Sequence, residues 1–304
     1  MHRMPTSSGR LGKGKTCMDF FRPTSLADAL KLKSAYPLAL CINGGTDVMV
    51  ELNFDRKRPE TLLDLSAVQE LSQWSEEGDS IVLGAGVTYS RIQAELQAQL
   101  PGLAMASRTV GSLQIRNRAG VGGNLGSASP AGDAHPALLA TGAAVNVSSI
   151  QGNRSIDIHE YFIGPKKSAL VPDEIIISIT IPKARGGQQF SKIGTRNAMV
   201  IAVCSFGLAI DAQSRTVGTG IGSAGPTPLR AVDAEAFAAS HLDWEKGTPL
   251  TPELLKEFGA LVSAASRPID DIRGTAAYRR HTLAVIAARS LKWAWKSTNE
   301  FRSM

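Results

Sequence analysis

Residues 111–133 read GSLQIRNRAGVGGNLGSASPAGD. Over these 23 residues glycine, serine and asparagine are denser than a surface connection needs. Gly122, Gly123, Asn124, Gly126, Ser127, Ser129 and Asp133 alternate small residues with short polar ones. Where Cβ atoms are missing, backbone N–H groups approach a ligand closely, and consecutive N–H groups in a tight loop form an anion-binding concavity. A second stretch of the same character lies upstream, Ile42-Asn43-Gly44-Gly45-Thr46-Asp47. Two such loops predict one extended ligand held from two sides. A dinucleotide with a charged pyrophosphate and a large planar ring has that shape. The Asn43 to Asp47 pattern is not the GxGxxG fingerprint with an acidic residue about 20 positions on, so a Rossmann domain is not expected.

Outward from these loops the chain reads as alternating strands and helices. Thr24-Ser25 precede a helical pattern ended by Pro37, and Leu38 to Ile42 is a short buried strand. Thr61 to Leu65 and Ile81 to Leu83 are further strands, the latter closed by Gly84-Ala85-Gly86, and Thr88 caps a helix. Such alternation within about 60 residues is an α/β unit. Pro136 to Thr141 reads as a short helix, Ala144 to Val147 as a strand, and Glu174 to Ile181 as the clearest strand of the chain. Strand-like runs follow at Val200 to Ile210 and Arg215 to Ser223. Helices are expected at Val232 to Ala239, Pro252 to Ala265 and Thr275 to Trp295. The expected units are a disordered extension at 1–17, subdomains at 18–75 and 76–185, and a C-terminal α+β domain at 186–304.

At 304 residues, 43% hydrophobic and 20% charged, the chain has the composition of a globular protein with a sizeable core. No apolar run approaches the roughly 18 residues that span a bilayer. Of the net charge of +6, four units lie in residues 1–17, on Arg3, Arg10, Lys13 and Lys15. The body shows no interleaving of aromatic and basic residues, so neither nucleic-acid binding nor membrane insertion is expected. The first 17 residues lack the apolar centre of a secretory signal and read as an extension upstream of a start at Met18. Cys17, Cys41 and Cys204 have no metal or disulfide spacing. They read as small buried hydrophobes in a reducing compartment, and a cytoplasmic location is expected. His135, His159, His241 and His281 show no metal spacing either and read as structural or exposed.

At Phe21 to Ser25, Gly44 to Asp47, Gln114 to Asn117, Gly122 to Leu125, Ser129 to Asp133, Gly164 to Lys167, Pro172 to Glu174 and Asp271 to Arg273 with Tyr278 to Arg280, the chain resembles the FAD-binding (medium) subunits of molybdenum hydroxylases, of the xanthine dehydrogenase and carbon monoxide dehydrogenase type. The resemblance covers roughly Asp19 to Ala294. It implies a two-subdomain FAD-binding fold of the p-cresol-methylhydroxylase type, followed by a C-terminal α+β domain. FAD is the implied cofactor, a molybdopterin-binding large subunit and a small [2Fe–2S] subunit are the implied partners, and NAD or another acceptor takes the electrons. Asn43 stands where the family usually has alanine and Val121 where threonine is common. Neither change removes a glycine. No four-cysteine insertion is present, so an additional iron–sulfur cluster is not expected.

The resemblance also distributes roles. Ile42 to Val48 and Gly120 to Asn124, with Ile115 beside them, would line the cofactor. The N–H groups of Asn43 to Asp47 would hold the pyrophosphate. Asn124, Ser127 and Ser129 would donate to phosphate or ring oxygens. Asp133 would accept from sugar hydroxyls, a role that suits an acidic acceptor, or would cap the following helix. Leu170 is a candidate apolar wall for the flavin ring. Lys192, with Arg196, would place positive charge beside it, or the two form a solvated surface pair. Arg116 and Arg118 either neutralise phosphate or pack on the surface. Trp293, Trp295, Tyr278 and Leu291 on the last helix read as core, with a partner-docking face as the alternative. No residue is required as an acid or base, because the cofactor carries the chemistry. Two other functions fit the loops: a stand-alone flavin oxidase, and a non-enzymatic binder of a phosphorylated ligand.

Overall fold

The computed structural model describes residues 18–302, so the 1–17 extension and Cys17 lie outside the described residues. The chain begins with β1 (Asp19–Phe21), α1 (Leu26–Ala35), β2 (Leu40–Ile42), α2 (Val48–Asn53) and β3 (Thr61–Asp64). Ser25 caps α1, its hydroxyl accepting from the Asp28 N–H. The three strands form a parallel sheet in the order β1-β3-β2. Strand β2 is the apolar run ahead of the first glycine stretch. It therefore delivers that loop at its carboxyl end, where open α/β sheets bind ligands.

Next come β4 (Trp74–Glu77), β5 (Ser80–Gly84), α3 (Tyr89–Glu95), α4 (Pro101–Arg108), α5 (Leu113–Arg116), α6 (Val121–Ser127) and α7 (Ala134–Thr141). They are followed by β6 (Ala144–Ser149), β7 (Gly152–Asp157), α8 (Ile158–Tyr161), β8 (Phe162–Gly164), β9 (Lys167–Ser168) and β10 (Ile175–Pro182). The larger sheet runs β4-β5-β10-β6-β7 and is antiparallel throughout. Its centre is the isoleucine-rich β10. Leu83, Ile92, Leu125, Leu138, Val145 and Ile179 fill the core between this sheet and its helices. Ile175 joins Ala29, Leu63 and Leu71 in a second core beneath the parallel sheet.

The remainder is β11 (Gln188–Ile193), β12 (Cys204–Asp211), β13 (Thr216–Gly222), α9 (Val232–His241), α10 (Pro252–Ala265) and α11 (Ala276–Arg302). An antiparallel sheet, β11-β12-β13, packs under the three helices through Phe206, Leu208, Phe258, Leu291 and Trp295. Three expectations change. The buried strand expected from Leu38 begins only at Leu40 and is half-buried, with Leu38 exposed beside it. The strand predicted from Val200 begins only at Cys204, because the ladder to β11 starts with the Val203 N–H on the Ile193 carbonyl. The glycine stretch at 121–127 is a helix rather than a loop. Val121 and Leu125, one helical turn apart, are both fully buried. That anchorage outweighs the poor helix propensity of Gly122, Gly123 and Gly126.

Helix α7 joins the two halves. Every residue from Ala134 to Ala140 is buried, as befits a helix that is apolar all round. One side lies in the core of the large sheet. The other lies on strands that present it three glycines. Gly207 and Gly220 are register partners on β12 and β13, and a Cβ on either would collide with the Pro136 carbonyl. A Cβ on Gly218 would strike the Ala140 carbonyl. Pro136 is tolerated because it falls in the first turn, where no intrahelical bond needs its N–H. Gly220→Ala should therefore cost about 1–3 kcal/mol of stability through overpacking. Chemical denaturation is the measurement, and an unchanged midpoint would contradict this packing.

Candidate cofactor-binding site

Three stretches converge at the carboxyl end of β2. Asn43 to Asp47 form a turn between Ile42, the last residue of β2, and Val48, the first of α2, with Gly45 at φ 74°. A Cβ on Gly44 would overlap the Arg118 carbonyl, so this turn lies directly against the second glycine stretch. The third stretch is Ala85-Gly86-Val87, between β5 and α3. The Gly86 N–H donates to the Leu71 carbonyl, and the Gly122 N–H donates to the Ala85 carbonyl at 3.2 Å. Tyr89 N–H takes the Ala119 carbonyl at 2.9 Å.

The glycines divide into two kinds. Gly44, Gly120 and Gly122 are bare because protein backbone occupies the space of a side chain. Gly123 and Gly126 are exposed, three residues apart on α6, and a Cβ on either would meet no atom within 4 Å. Only the second kind leaves room for a ligand. The N–H groups of Gly44 to Val48 take no acceptor among the described residues. Open glycines beside free donors fit a large anionic ligand approached by backbone.

The polar side chains of the second stretch mostly turn inward. Asn124 Oδ1 accepts from the Ala134 N–H at 3.4 Å, so only its amide nitrogen remains for a ligand. Ser127 Oγ donates to the Asn124 carbonyl at 2.9 Å, while Ser129 Oγ accepts from the Ala131 N–H at 3.3 Å. Asp133 occupies the N-cap position of α7 but makes no capping bond. Instead its Oδ2 lies 2.6 Å from Lys192 Nζ, which also donates to the Thr109 carbonyl at 3.2 Å. Both side chains are almost wholly buried. Burial pushes the Asp133 carboxyl above the usual carboxylate range, opposed by the ammonium beside it. Its Oδ1 is buried without a partner.

Other predicted residues are dispersed. Ile115 is partly exposed on α5, and Leu170 is half-buried against the core of the large sheet. Arg116 holds the Val110 and Gly111 carbonyls, each at 3.1 Å. Arg196 does not join Lys192, because it folds back onto the carbonyls of Ala198 and Met199. Trp295 and Leu291 are core, while Trp293 and Tyr278 are exposed. His135 is fully buried with Nε2 3.2 Å from the Asn124 carbonyl, and burial lowers its pKa to about 4. Sequence reasoning does not assign a role to Ala85, Gly86, Thr109 or His135. The glycine pair at 84 and 86 was the available signal for the third stretch.

A family model described as the FAD binding domain in molybdopterin dehydrogenase matches residues 16–184. The CO dehydrogenase flavoprotein C-terminal domain matches residues 189–294. The chain belongs to this flavoprotein family. It is 31% identical over 252 residues to the nicotinate dehydrogenase FAD-subunit of Eubacterium barkeri, covering 78% of this chain and 82% of the relative. It is 30% identical over 292 residues to the carbon monoxide dehydrogenase medium chain of Afipia carboxidovorans, covering 91% and 96%. A chain of the reconstituted CO dehydrogenase from Oligotropha carboxidovorans superposes with a TM-score of 0.85 at 27% identity, covering 92% of this chain and 98% of that one. The chain is thus an FAD-binding medium subunit of the molybdenum hydroxylase family, part of an oxidoreductase, with the α/β and α+β architecture of its relatives.

Two predictions test the buried groups. Lys192→Met leaves Asp133 buried and unpaired and should cost about 3–5 kcal/mol at neutral pH, with much of the loss recovered when Asp133→Asn is added. Denaturant titration of the single and double variants is the check. His135 titrates lower folded than unfolded, so the unfolded chain binds a proton that the folded one excludes. Stability therefore falls with pH between the ordinary histidine value and about 4. Between pH 7 and 5 that loss is about 2 kcal/mol. Urea unfolding at both pH values should show His135→Asn losing correspondingly less.

Proposed function

We propose that this chain is the electron-transfer subunit of a heterotrimeric molybdenum hydroxylase. It works between a small [2Fe–2S] subunit and NAD or another acceptor, while substrate is oxidised on a molybdopterin-binding large subunit. One observation carries the reading: free N–H groups at Gly44 to Val48 stand beside the open glycines of α6, in a chain whose family binds FAD. FAD bound there supplies the redox chemistry that lets single electrons from iron–sulfur centres leave as a pair.

The residues provide binding and exclusion. The Asn43 to Val48 turn takes the pyrophosphate on backbone donors, without a cation of its own. Gly123 and Gly126 admit the cofactor where any side chain would project into it. Asp133, whose Oδ1 takes no hydrogen-bond partner among the described residues, is the acceptor for a ligand hydroxyl in this reading. Lys192 contributes less field than a free cation, since Asp133 already offsets its charge. Its first effect is to hold that carboxylate ionised and in place.

Gly123→Val adds its side chain to open space in the protein, so the fold should survive while flavin is lost. We expect the purified variant to retain at most about a tenth of the wild-type flavin absorbance, a loss of roughly 1.4 kcal/mol or more in binding. Unchanged flavin content at equal thermal stability would remove α6 from the site.

A further inference from the structure

The turn between α6 and α7 is held from the other half of the molecule. Ser129-Pro130-Ala131-Gly132 closes on itself, the Gly132 N–H donating to the Ser129 carbonyl at 3.0 Å. Proline at the second position of such a turn fits either of two forms, which differ by a flip of the Pro130–Ala131 peptide. The flipped form needs positive φ at Ala131, and Ala131 does not adopt it. On one side of that peptide, Ser129 Oγ accepts from the Ala131 N–H at 3.3 Å. On the other, the Pro130 carbonyl accepts from the Ser223 N–H at 2.9 Å. Ser129, Pro130 and Ala131 are only half-buried, so packing alone does not fix their peptide planes. Ser223 directly follows β13, in the C-terminal domain.

Several unfavourable features meet at Ser223. Its φ is 58°, a conformation that suits glycine and strains serine. Its hydroxyl is buried without a partner among the described residues. Its carbonyl accepts from Arg279 Nη1 at 2.7 Å. Arg279 is 5% exposed and is the fourth residue of α11, where the helix dipole disfavours a cation. Its Nη2 lies 2.6 Å from Asp271 Oδ1, which also accepts from the Arg273 N–H at 2.8 Å. Its Nε is buried without a partner among the described residues. Strain, a desolvated charge and two orphaned polar atoms thus fall on two residues bonded to each other. Stability alone would favour glycine at 223 and an apolar residue at 279. What the pair achieves is a fixed Ser223 amide, and the acceptor of that amide is the Pro130 carbonyl.

We propose that Arg279 is a positioning residue for the cofactor site. From α11, through the Ser223 amide, it fixes the Pro130–Ala131 peptide and so the turn that carries Ser129 and Asp133. This rests on the FAD reading above. Lys192 reaches Asp133 separately from β11, so the C-terminal domain holds this segment at two points. If Arg279 merely joined the two domains, its loss would lower stability without singling out the cofactor.

The test uses the flavin-free full-length chain titrated with FAD. Affinity is read from the quenching of flavin fluorescence and stability from thermal melting. Arg279→Met leaves the Ser223 carbonyl unpaired, and FAD affinity should fall about tenfold. Thr298→Val is the control, because it removes from the same helix the buried acceptor of the Gly187 N–H. Its FAD affinity should stay within about twofold of wild type. If Arg279→Met does not fold, Arg279→Lys carries the same comparison. It keeps the charge opposite Asp271 but lacks the planar fork that serves two acceptors. Hydrogen exchange gives a further readout. FAD should slow exchange of the Ser223 amide in wild type, since coupling between two sites is reciprocal, and should slow it less in the Arg279 variant. Wild-type affinity in the Arg279 variant overturns the proposal, as does an equal loss in Thr298→Val. So does Ser223 exchange that is indifferent to FAD in wild type. If the wild-type chain itself binds no FAD, the cofactor reading falls and takes this one with it.

Discussion

Helix α7 lying on the glycines of β12 and β13 is the contact from which the rest of the arrangement follows. A helix axis normally stands off a sheet by the thickness of two layers of side chains. Here Gly207, Gly218 and Gly220 remove one layer, and backbone meets backbone at Pro136 and Ala140. That proximity fixes the register between the flavin-binding half and the C-terminal half. It also sets Asp133, at the start of α7, against Lys192 on β11, and it buries His135 beneath Asn124. A buried ion pair formed between two separately built units is stable only when both are held in place, since either charge alone would be desolvated without a partner.

The same economy of side chains recurs in the candidate site, with a different use at each glycine. Gly44 and Gly122 let three stretches of backbone pack together, and Gly123 and Gly126 keep space open. The polar side chains between them hold the loop in shape. Asn124 receives bonds from Ala134, His135 and Ser127, so it organises the segment that the proposed cofactor would contact. Recognition in this reading falls mainly to backbone donors, which cost no side-chain entropy when they bind.

Charge follows a parallel logic. Two cations near the candidate site are engaged: Lys192 with Asp133, Arg116 with two carbonyls. Arg289 and Lys292, exposed on α11 in a different domain, make no ion pair among the described residues. In the proposed role the chain needs no acid or base of its own, because the cofactor carries the chemistry.

The sequence by itself determined the local elements. The glycine turn after Ile42, the isoleucine-rich β10, the Ser25 cap and the helix at Pro252–Ala265 are written in short-range pattern, because turn chemistry, capping and alternation act over a few residues. The ordered motifs also pointed to the family, which the matches over residues 16–184 and 189–294 show. Only the tertiary structure decided which glycines face protein and which face open space. It turned a glycine-rich stretch into helix α6 through the burial of Val121 and Leu125, and it separated Arg196 from Lys192 while joining Lys192 to Asp133, 59 positions away. Those outcomes depend on contacts between segments distant in sequence, where composition is silent and only packing chooses.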